Sequence, residues 1–150
     1  MTRTLHDILL TPDRRPQVVD DCQQLIDEEV AAKNGASGLL VKSSYKIVKA
    51  VRPSMIQDAS GSLLGAFVPR LEPLYAQYSA NPAGRSLPEY FGERAEEVAD
   101  AMLAVTDERA ANYDNATLRK AYEKLRPQAK KHVEEAVPAL SRLIEKYTKM

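Results

Sequence analysis

The densest chemistry in the chain is a group of five side chains, Lys42, Tyr45, Lys46, Lys49 and Arg52. No acid occurs between Val30 and Gln57. Four cations beside a phenol could hold an anion: a nucleic-acid backbone, an anionic lipid headgroup or an acidic partner surface. The competing reading is a solvated helix face whose lysines pair with acids of a neighbouring helix, the ordinary use of a charged stripe. The formal net charge is zero over 150 residues. Broad attraction to nucleic acid is therefore not expected, and any such patch is local.

Other reactive residues are sparse. His6 and His132 are the histidines, Cys22 is the single cysteine, and the chain has no Gly-rich phosphate loop, C-x-x-C, H-E-x-x-H or G-x-S-x-G motif. Asp20-Asp21, Asp27-Glu28-Glu29, Glu96-Glu97 and Glu134-Glu135 are neighbouring acids. On a helix such neighbours point to different sides, so they make no shared acid–base or metal site. No catalytic residue, metal or cofactor is assigned. Cys22 sits on an apolar stripe and reads as a packed, inert thiol with no intramolecular disulfide partner. Tyr45, Tyr75, Tyr78, Tyr122 and Tyr147 fall on or beside apolar stripes. They read as core or rim residues, or as the lining of a ligand pocket with Arg52 or Arg126.

The elements that must position these groups are helices. Residues 37–53 show an apolar side at Leu40, Ser44, Ile47 and Val51, flanked by Val41 and Val48, with Lys42, Lys46 and Lys49 opposite. Ser37 is read as its N-cap and Pro53 as its stop. Before it, residues 5–10 form a turn or two of helix. A longer helix then runs to about Lys33, its regular part beginning near Arg15 because of Pro16, and Asn34-Gly35 ends it. After it, one helix spans Pro53 to Phe67, with Met55, Ile56, Ala59, Leu63, Leu64 and Phe67 on its apolar side. Gly61 and Gly65 there suit the close approach of another helix. Pro69 opens a separate helix to about Ser79, and Asn81–Gly84 is a loop. Ser86 and Glu89 form a capping-box pattern that starts a helix to about Ala111. Tyr113-Asp114-Asn115 is a turn, and helical spacing then continues to the end, with a kink or break expected at Pro127 and Pro138. No segment alternates with period two, so no sheet is expected.

These readings give an all-α fold: a single domain of about eight to ten short helices. Matched segments suggest an internal duplication into halves of about 1–82 and 83–150, a helical-repeat-like layout. Arg15-x-x-x-Val19-x-Asp21 matches Arg94-x-x-x-Val98-x-Asp100, Tyr45 matches Tyr122, and Val68-Pro69-x-Leu71 matches Val137-Pro138-x-Leu140. Chance matching in an Ala-, Leu- and Arg-rich helical chain is the alternative. The Arg-Pro, Tyr-Lys, Val-Pro-x-Leu and Ala-Val-Thr-Asp-Glu-Arg-Ala-Ala segments resemble a family of small bacterial helical proteins of unknown function, actinobacterial in character. That resemblance implies no activity and no functional residue.

The expected function is a non-enzymatic helical binding or interaction module, with a protein partner or a second copy as its target. One alternative is a carrier or sensor of a small apolar-anionic ligand in a groove between the halves, which requires a cavity with Tyr and Arg at its mouth. Another is binding of nucleic acid or anionic lipid through the basic face, with nucleic acid the less favoured. The first residues, MTRTLHDILLTPD, lack the pattern of a signal peptide, and no stretch reaches the roughly 20 apolar residues of a membrane span. A cytoplasmic location is expected.

Overall fold

A computed structural model describes residues 4–51, 54–112 and 114–149. Among the described residues the chain is helical throughout, with seven helices and no strand. Thr4 caps α1 (Leu5–Leu9) through a reciprocal capping box with Asp7. The second helix, α2 (Arg15–Ala32), carries Pro16 in its first turn, where a missing N–H costs nothing. Lys33 is extended, and α3 (Gly35–Val51) starts at Gly35 with φ +75°, a conformation cheap only for glycine. The helix therefore begins two residues before Ser37, which is not its cap. The expected stop at Pro53 lies outside the described residues, as do Arg52 and Tyr113 and the side chains of Met55, Ile56 and Ala59.

Next come α4 (Met55–Ala80), α5 (Leu87–Glu93), α6 (Ala95–Ala111) and α7 (Ala116–Thr148). None of three prolines expected to mark a boundary or kink divides its helix. The stretch divided at Pro69 is one helix of 26 residues, and Pro127 and Pro138 lie inside one helix of 33 residues. All four prolines of these helices are exposed, so water can reach the carbonyls they leave without an intrahelical donor. The long helices reduce the expected eight to ten to seven. In the opposite sense, the helix expected from Ser86 to Ala111 is interrupted at Arg94, which leaves helical geometry two residues after Gly92. Ser86 does cap α5, accepting from the Glu89 N–H at 3.3 Å.

Helix α7 forms the spine, packing against α1, α2, α3, α5 and α6, while α4 packs on α1, α2 and α6. Leu5 and Ile8 of α1, Val18 of α2, Phe91 of α5, Val98 of α6 and Val137, Ile144 and Tyr147 of α7 lose essentially all solvent contact. Burial of each such side chain contributes about 1.5–3 kcal/mol. The Gly61–Gly65 stretch does receive a neighbour. A Cβ built on Gly61 would lie 4.0 Å from Val19 of α2, which is ordinary contact. The matched segments fall on unlike elements: α3 and α4 are separate helices, whereas the corresponding second-half segments share the unbroken α7.

Candidate functional site

Lys42, Lys46 and Lys49 lie on α3, whose fully buried residues are small. Gly38 and Ser44 are buried, and Leu40, Val41 and Val48 are half-buried. Leu39, Ile47 and Val51 are 67%, 39% and 41% exposed, so Ile47 and Val51, expected to face inward, do not. Lys46 and Lys49 are exposed and Lys42 is half-buried. Lys49 lies 3.7 Å from Asp27 of α2 and 4.5 Å from the Tyr45 ring centroid, and the Tyr45 hydroxyl donates to Asp27. Burial, and then the bond to the Asp27 carboxylate, hold the Tyr45 phenol well above its usual range. Lys49 is thus partly neutralised by the neighbouring helix. Arg52 lies outside the described residues.

A second cluster joins the α2–α3 turn to α7. Lys33 is buried, and its ammonium meets Glu135 at 3.1 Å and Glu29 at 3.8 Å. One turn from Glu135, His132 Nε2 contacts the Ser37 hydroxyl at 2.5 Å, while its buried Nδ1 has no partner among the described residues. Burial, and then the Lys33 charge, depress the imidazole below its ordinary value. A serine beside a histidine is the start of a nucleophile–base pair. Here no carboxylate holds Nδ1, the contact that orients the base in an activated serine.

The third feature is a hollow where α2, α4 and α7 converge. It holds about 110 Å³ and is walled by apolar side chains, among them Leu25 and Ile26 of α2, Leu64 and Phe67 of α4, and Leu143 and Ile144 of α7. Cys22 and Ser60 are its polar exceptions. Burial, and then Asp21, push the Cys22 thiol up to about 11, so it stays protonated and unreactive at neutral pH. Neither Tyr nor Arg lines the hollow among the described residues. An open cleft of about 320 Å³ adjoins it, and Leu25 and Leu143 line both. The cleft carries Asp21, Gln24 and Glu28 of α2 and Arg142 and Lys146 of α7. Sequence reasoning placed Cys22, Leu25, Ile26, Leu140 and Ile144 on apolar stripes. That two facing stripes leave space between them has no signature in either stripe.

Arg126 takes another part. Its guanidinium grips Asp107 through Nε at 2.8 Å and a second nitrogen at 3.1 Å, and the Tyr122 hydroxyl donates to the same carboxylate. That fork ties α7 to α6 and holds the Asp107 carboxyl below its usual range. No group of His, Cys, Asp and Glu able to hold a metal occurs among the described residues. No described helix is long and apolar enough to cross a membrane.

No curated protein and no solved structure matches the chain. A family model matches residues 5–148, which takes in all seven described helices, the hollow and the cleft, and the chain accordingly belongs to DUF6918, a family of unknown function.

Proposed function

We propose that this chain is a non-enzymatic helical binding protein whose site is the apolar hollow between α2, α4 and α7. The observation that carries the reading is the hollow's nearly unbroken hydrocarbon wall. An unfilled apolar space of about 110 Å³ costs a fold about 2–3 kcal/mol at roughly 24 cal/mol per Å³. A small apolar occupant removes that cost, as benzene does in an engineered cavity of about 150 Å³. Carrier or sensor is the role in keeping with such a site, and the cytoplasm of a bacterium is the setting we assign it. Titration of the full chain with benzene tests the reading. A saturable rise in melting temperature is expected, and none up to the solubility limit sinks it.

The outward side of α3 favours a second reading, docking of a protein partner or a second copy. Leu39, Ile47 and Val51 are the exposed large hydrophobics among the described residues, and all lie on that helix beside Lys42 and Lys46. Leu39→Asp should abolish any concentration-dependent mass increase in analytical ultracentrifugation.

A further inference from the structure

We infer that the ligand is a medium-chain aliphatic carboxylate, its tail in the apolar hollow and its carboxylate on Arg142 in the adjoining cleft. The inference rests on the hollow being a binding site and adds the head group. Leu25 and Leu143 belong to both spaces, so an apolar wall continues from one into the other. By comparison with the roughly 150 Å³ cavity that takes benzene, the inner space holds only about four or five carbons, and a longer chain must emerge into the cleft.

The cleft's charges select the head. Lys146 holds Asp21 at 3.1 Å, and the same carboxylate oxygen accepts from the Tyr147 hydroxyl at 2.5 Å. Glu28 accepts from the Gln24 amide at 3.0 Å. Arg142 is exposed and makes no hydrogen bond or ion pair among the described residues, although it lines the cleft. A guanidinium offers a planar pair of donors that matches a carboxylate's two oxygens. A cationic head would have to compete with Lys146 and Gln24 for acids already bonded, and a neutral one would leave Arg142 unmatched.

The test compares octanoate, octylamine and benzene on the full chain by methyl NMR, with the melting temperature as an independent readout. Octanoate should bind saturably, raise the melting temperature, and bind more tightly than octylamine. Arg142→Ala, at an exposed position, should weaken octanoate about tenfold and leave benzene binding unchanged. Octylamine binding as tightly as octanoate, or octanoate indifferent to Arg142→Ala, overturns the inference. Benzene binding without octanoate binding overturns it while the hollow remains a site. Absence of binding by all three probes removes both readings.

Discussion

Lys33 shows how far one side chain's role depends on distant sequence. Read locally, it belongs to a run of cations. In the fold it is buried, and Glu135, 102 residues away, supplies its closer carboxylate. A buried charge is tolerated only while it is paired, so the two partners should respond unequally to removal. Lys33→Met frees Glu29 and Glu135 to hydrate and puts an apolar stem in the space. Its unfolding free energy in urea should stay within about 1 kcal/mol of the parent. Glu135→Ala leaves the buried ammonium with Glu29 at 3.8 Å and the His132 carbonyl at 3.5 Å and should cost more, on the order of 2 kcal/mol. Equal losses would mean that Lys33 packing, not its pairing, anchors the turn. Five residues on, a Cβ at Gly38 would lie 2.7 Å from the Lys33 carbonyl carbon, a backbone atom with little freedom to yield. Gly38→Ala should therefore destabilise by about 1–3 kcal/mol despite its better helix propensity, a reversal of sign that denaturant unfolding reads directly.

At the scale of elements, the prolines decide what was legible. Local rules place α1, the start of α2 near Arg15, the loop after α4 and the Ser86 cap, because each depends on residues within one turn of the feature. They misplace the break at Pro69, and of the kink or break expected at Pro127 and Pro138 the break does not occur, because the cost of a proline depends on which side of the helix it occupies. That side is set by tertiary packing. The same dependence hid the outward turn of Ile47 and Val51: amphipathic spacing finds a stripe, but α3 packs through Gly38 and Ser44 at the edge of the molecule. The candidate hollow was illegible for a related reason, being a gap between stripes and not a property of one. Pro127→Ala tests the account of the exposed prolines. It should restore a donor to the Glu123 carbonyl and raise stability by about 1–2 kcal/mol, the interior penalty less the unfolded-state entropy that proline removes. A loss of stability would instead mean that α7 relies on the proline's bend to follow the core.

For the whole molecule, the ties between helices fix the pH range in which the fold holds. His132 is depressed from its ordinary 6.5 by burial and by Lys33. Glu135 is lowered by its bond to Lys33, and Asp107 by its bond to Arg126. In each case the unfolded chain binds protons more readily than the folded one, so acid favours unfolding. The loss begins as pH falls below about 6.5 with His132 and steepens through the carboxylate range. At the other end Tyr45, Tyr122 and Tyr147 are raised from 10.0 by burial and by their aspartate partners, Tyr122 to about 12. Their neutral form is the folded one. The stability they lend is present below 10 and is lost as pH rises through their folded values. The urea midpoint should therefore form a plateau between about pH 6.5 and pH 10 and fall on both sides. His132→Gln, which carries no titrating ring, should remove the first acid step and leave the alkaline limb in place. Tyr147→Phe should soften the alkaline limb and leave the acid one. A midpoint flat from about pH 5 to pH 11 would mean that these ties between α2, α3, α6 and α7 do not hold the fold in solution.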